Sequence, residues 1–101
     1  MKIIRGTTPT HTFENDLDIS IIKELYITYK QNNLTIVEKT KDNCTITNGI
    51  ISVKLSQSDT LKLSAKYDCD IQIRVKTTEE NAPVSEIVTV KVVDVLKDGV
   101  I

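Results

Sequence analysis

At 101 residues the chain has room for one domain, 1–101, around one core, and its length suffices to bury roughly 60 to 70% of the unfolded surface without metals or disulfides. Thirteen Lys and Arg stand against fourteen Asp and Glu, a formal charge of -1, and the two signs are interspersed, which excludes an electrostatic footprint for nucleic acid or an anionic membrane. The apolar residues are mostly Ile, Val and Leu, and Ala occurs only at Ala65 and Ala82, so residues that pack on a pleated surface outnumber helix formers. Composition points to an all-β chain.

Taken in order, the segments alternate with period 2. His11 and Phe13 share one parity, with Thr10, Thr12 and Glu14 on the other. Residues 16–23 fit neither period and are expected to form a short helical or irregular crossover. From Glu24 to Gln31, Leu25, Ile27 and Tyr29 point one way and Tyr26, Thr28 and Lys30 the other. Asn32-Asn33 marks a tight turn, since Asn tolerates left-handed backbone angles. The return strand is expected to carry Leu34 and Ile36 inward and Thr35, Val37 and Lys39 outward.

Lys41-Asp42-Asn43 makes the next turn, and Cys44 and Ile46 open another strand. Asn48-Gly49 predicts a type I′ hairpin, followed by Ile51, Val53 and Leu55 inward. Ser56-Gln57-Ser58-Asp59 reads as a capping box, so a short helical turn near residues 57–63 is expected to cross between sheets. The longest alternation runs from Tyr67 to Thr77, with Cys69, Ile71, Ile73 and Val75 inward. A loop over residues 78–83 follows, with Pro83 where no ladder donor is required. The last strand is expected over 84–95, with Val88, Val90 and Val92 inward and a bulge where parity slips at Val92-Val93. Val100-Ile101 is an apolar tip after Gly99.

About seven strands at 8 to 12-residue spacing predict an immunoglobulin-like antiparallel β-sandwich. Tyr67-Asp68-Cys69 resembles the Tyr-x-Cys entrance to an immunoglobulin strand F, although the chain has no Trp.

Few residues are equipped for chemistry. His11 is the one histidine; it is either a base paired with Asp16 or a thiol, or a hydrogen-bonded residue at the core edge, and its parity favours the second. Cys44 and Cys69 sit at inward positions, 25 residues apart, which fits no zinc spacing and favours core thiols over a bridge. Glu79-Glu80 falls in a loop and Asp68/Asp70 on a solvent face, not across a cleft. Three scattered glycines make no phosphate loop. No catalytic residue, cofactor site or metal site is assigned. Tyr26, on an outer face, and Val100 and Ile101 are the candidate interface residues. The first six residues lack an apolar signal region, so cytoplasmic synthesis is expected, with incorporation into a larger particle afterwards.

Three stretches, Arg5-Gly6-Thr7-Thr8-Pro9-Thr10, Gln72-Ile73-Arg74-Val75 with Ser85-Glu86-Ile87, and Asp94-Val95-Leu96-Lys97-Asp98-Gly99-Val100-Ile101, carry a resemblance that covers essentially the whole chain. Through them the chain resembles short prophage-encoded tail or baseplate-associated sandwich proteins, and the N-terminal domains of phage baseplate upper proteins. The resemblance implies a virion or assembly role, with phage structural proteins or a second copy as partner through edge strands and the C-terminal tip. The alternative is a small-ligand or glycan-binding module using Tyr26 and His11.

Overall fold

A computed structural model describes residues 2–14, 19–82 and 84–101. The alternating segments become β1 (Lys2–Ile4), β2 (Thr10–Glu14), β3 (Ile22–Gln31), β4 (Leu34–Thr40), β5 (Cys44–Thr47), β6 (Ile50–Lys54), β7 (Cys69–Thr77) and β8 (Val84–Val93), with one helical turn, α1 (Gln57–Leu61). Among the described residues these strands form two sheets, one in the order β1-β8-β7-β3-β4 and one in the order β2-β6-β5. That order, with α1 carrying the chain from one sheet to the other, is the strand arrangement of an immunoglobulin-type sandwich. The expected seven strands are all present. The eighth, β1, is too short to show a period; it pairs in parallel with β8, so the sandwich is not wholly antiparallel.

Both Asn-marked turns form as their residues require. Asn32 and Asn33 have φ of 48° and 64°, Asn48 has 50° and Gly49 has 77°, all in the left-handed region that closes a two-residue hairpin. The inner faces meet in a core that takes Leu25, Ile27 and Tyr29 from β3, Ile71, Ile73 and Val75 from β7, and Ile51, Val53 and Leu55 from β6 and its end. Each of these side chains is essentially excluded from water, worth roughly 1.5–3 kcal/mol apiece in transfer free energy.

Alternation misleads at three places. In β4, Tyr29 faces Val37 while Lys30 faces Thr35, so Ile36 is an extra residue and the pleat inverts there. Val37 is therefore buried and Lys39 turns toward the sheet margin, whereas Leu34 is exposed, the reverse of the expected parity. In β8 no bulge interrupts Val92-Val93: Val92 faces Ile3 and Val93 faces Ile4 in continuous register. Val93 and Ile4 are an exposed apolar pair on the outer face, which alternation alone reads as a slip. The strand ends at Val93, not residue 95. The run expected from Tyr67 starts at Cys69, because the preceding corner is drawn out of the ladder by Gln31. The buried Gln31 amide donates to the Ser64 and Tyr67 carbonyls at 2.7 and 3.0 Å and accepts from the Ser64 N–H at 2.8 Å. Ile19–Ile21 forms a single 3-10 turn within the expected crossover; residues 16–18, and Pro83, lie outside the described residues.

Candidate functional site

The sandwich positions three features: a polar cluster in the core, a strapped C-terminal segment and the outer face around Tyr26.

His11 enters the core from β2 and Tyr29 from β3, and their Nδ1 and hydroxyl share a hydrogen bond of 2.7 Å. It joins the two sheets through a fully enclosed phenol. Burial pushes the Tyr29 phenol well up, helped by the nearby Cys69, Cys44 and Asp59, and burial pushes the His11 imidazole down. A histidine whose folded pKa lies below its unfolded value of 6.5 is kept neutral by folding. Stability is then full above pH 6.5 and declines as pH falls below it, with a slope of at most about 1.4 kcal/mol per pH unit. Urea titrations from pH 7.5 to 5 are expected to show this decline, and the same series on His11→Phe is expected to be flat.

Cys44 and Cys69 are both free thiols. Burial, then the charge of Asp70, pushes the Cys69 thiol up to about 11. Burial also raises Cys44, against the opposing charge of Lys39. Neither is poised as a nucleophile. A disulfide reagent at pH 8 should label the buried Cys69 only as fast as the protein opens and the half-buried Cys44 sooner, with two equivalents appearing at once in urea. A rapid native burst of two equivalents would contradict the burial of Cys69.

Lys39, redirected by the β4 bulge, places Nζ 2.8 Å from Asp59 Oδ2, with side chains only 19% and 12% exposed. Asp59 also closes the capping box foreseen in the sequence: Ser56 N–H donates to its carboxylate at 2.9 Å and Asp59 N–H donates to Ser56 Oγ at 3.0 Å. Burial pushes the Asp59 carboxyl up, but the Lys39 and Ser56 bonds together outweigh it and hold it below its ordinary value.

Arg5 does most to arrange the tail, and nothing in the local pattern announces it. Its Nε donates to the Leu63 carbonyl at 2.9 Å and Nη2 to the Leu61 carbonyl at 3.1 Å, satisfying acceptors at the end of α1. Nη1 reaches Asp94 at 2.6 Å and Nη2 reaches Asp98 at 3.3 Å, which draws residues 94–98 alongside. The adjoining Gly6, at φ +81°, lets the chain turn with the Leu61 side chain 3.7 Å from where a Cβ would stand. Further along, the Ile101 N–H donates to Gln57 Oε1 at 2.8 Å. Val100 and Ile101 thus border an open hollow of about 480 Å³ with Thr8, Lys54 and Gln57. Leu96, Val100 and Ile101 all remain exposed.

Tyr26 lies on the outer face of the five-stranded sheet, between Thr40 on β4 and Arg74 on β7. Hollows of about 170 and 200 Å³ flank it, lined by Lys23, Thr40 and Asp42 on one side and by Arg74, Lys76 and Ala82 on the other. Neither is shared with Val100 or Ile101. His11 belongs to the core, so Tyr26 and His11 face opposite sides of the five-stranded sheet and cannot grip one ligand together. The loop carboxylate Glu80 is held by Lys23 at 2.6 Å and Lys76 at 2.7 Å, which push it down to about 2. Tyr67 is exposed, and the corner before β7 is held by Gln31 rather than by a tyrosine hydroxyl. Among the described residues no three His, Cys, Asp or Glu side chains gather as metal ligands, and no helix is long and apolar enough to cross a membrane.

No family model, curated protein or solved structure matches this chain.

Proposed function

We propose that the chain is a non-enzymatic phage or prophage structural module that assembles through protein–protein contacts, using strand edges and the C-terminal apolar segment. The observation that carries this reading is the segment itself. Three apolar side chains, Leu96, Val100 and Ile101, stand in solvent at the end of a stretch held in place by Arg5 and Gln57. Exposed apolar groups on a positioned segment suit a docking surface, because the partner buries them without first having to order the backbone. The resemblance of Arg5–Thr10 and Asp94–Ile101 to prophage tail proteins supports the same reading, since the Arg5 clamp joins those two stretches. Co-expression with the products of its neighbouring genes tests the proposal. Retention of one of them by the tagged chain, lost on Val100→Asp/Ile101→Asp, is expected; failure to retain any of them would sink it.

One observation favours a second reading, a glycan or small-ligand module centred on Tyr26. The exposed ring stands between two hollows that offer Arg74, Lys76, Lys23 and Asp42 as polar partners. Specific signals on a glycan array, abolished by Tyr26→Ala, would promote it.

A further inference from the structure

We infer that the free edge of β2 pairs antiparallel with β2 of a second copy, joining two three-stranded sheets into one of six strands about a twofold axis at Thr12. This rests on the assembly reading above and names its contact. In the immunoglobulin arrangement the strand beside B is A. Here β1, which would take that place, lies instead beside β8 in the other sheet, and β2 pairs only with β6. The slot beside β2 is vacant among the described residues.

The ladder fixes which groups point into it. The Leu55 N–H donates to the Pro9 carbonyl at 2.9 Å, and Pro9 stands opposite Leu55 in the register that pairs Thr10 with Lys54. Bonds to β6 therefore fall on Pro9, His11 and Phe13, and the N–H and C=O groups of Thr10, Thr12 and Glu14 point outward. All three of these residues are exposed, and the strand holds no bulge, proline or lysine, the devices that block edge pairing. The rival edges are poorer. β4 carries the bulge at Ile36, β1 has three residues, and the Cys44 N–H of β5 is already spent on the Lys41 carbonyl.

A second copy fits this edge in one register better than any other. With Thr12 opposite its symmetry mate, Thr10 meets Glu14 and all six outward groups of each strand find partners. Shifting by two residues leaves a pair unmade and brings either His11 or Phe13 against itself. The chosen register also sets Glu14 in line with Lys54 of the other copy across the short Thr10, giving charge complementarity on the outer face. Phe13, only partly buried in one copy, is covered beside His11 of the next.

The wild-type chain is expected to dimerise weakly, with a dissociation constant on the order of 0.1 mM, because five residues make a small interface. Thr12→Cys and Thr10→Cys separate this register from chance collision. Opposed Thr12 Cα atoms lie about 5.5 Å apart, within disulfide reach, whereas the two Thr10 Cα atoms lie about 14–15 Å apart. Mild oxidation should cross-link Thr12→Cys at least about tenfold faster than Thr10→Cys, with the wild type, which keeps the half-buried Cys44 and the buried Cys69, as the blank. Thr12→Pro removes an N–H that makes no internal bond, so it should stay folded and sediment as a monomer. A dimer that survives Thr12→Pro, or equal cross-linking at both positions, overturns the inference while leaving self-assembly standing. A wild type that stays monomeric at its highest soluble concentration also overturns it; the co-expression experiment then decides the broader reading on its own.

Discussion

Asp59→Ala is expected to lower the free energy of unfolding by about 3 kcal/mol, near 15 °C in Tm for a domain of this size. The alanine removes two things at once. Ser56 loses the acceptor of its N–H at the start of α1, a cap worth roughly 0.5–2 kcal/mol. Lys39 Nζ is left without its anion in a site where little water reaches it. Asp59→Asn keeps an acceptor for Ser56 and should cost less. Replacing both partners, Asp59→Leu with Lys39→Met, should recover more than half the loss, since two apolar side chains leave no charge stranded. The acid limb carries the same signature. The folded carboxyl is held below its unfolded value of 3.8, so its contribution is full above that pH and disappears as pH falls through the lower, folded value. Asp59→Asn should lack that limb in urea titrations between pH 5 and 2.

Arg5→Ala is expected to cost about 2 kcal/mol and to loosen residues 94–101. The magnitude comes from the carbonyls of Leu61 and Leu63, which lose charge-assisted bonds at a side chain only 16% exposed. The partner carboxylates are 67% and 73% exposed, so the ion pairs themselves add little to stability and act mainly by holding the segment in place. Arg5→Lys keeps the charge but not the planar fork, and should behave more like alanine than like wild type. Tryptic cleavage after Lys97 reads the release directly and should speed up about tenfold in both variants. An unchanged rate would show that the segment is held by something other than Arg5.

Much of the sandwich was legible because its signals are local. Asn32-Asn33 and Asn48-Gly49 sit at the hairpins they predict, and the Ser56 to Asp59 spacing sits at the turn it caps. Cys69, Ile71, Ile73 and Val75 bury as a strict alternation should. The failures share a cause, which is that their determinants are distant in sequence. Ile36 becomes a bulge only in register with Tyr29 and Lys30, and the inversion that follows hands Lys39 to Asp59, twenty residues on. Arg5 finds its acceptors 56 and 58 residues away and its carboxylates 89 and 93 away, distances over which no pattern runs. Of the candidate contact residues, parity alone placed Tyr26 outside and His11 inside. Their separation onto opposite sides of one sheet required the pairing of β3 with β4 and β7, and so did the vacancy beside β2.

Amide hydrogen exchange tests the central proposal, that the chain self-assembles through its open β2 edge, most directly. In a dilute sample the Thr10, Thr12 and Glu14 amides should exchange freely while His11 and Phe13, bonded to β6, stay protected. Once the protein is assembled at high concentration, all five should be protected together. An assembled sample in which Thr10, Thr12 and Glu14 still exchange as they do in the dilute one would contradict the account.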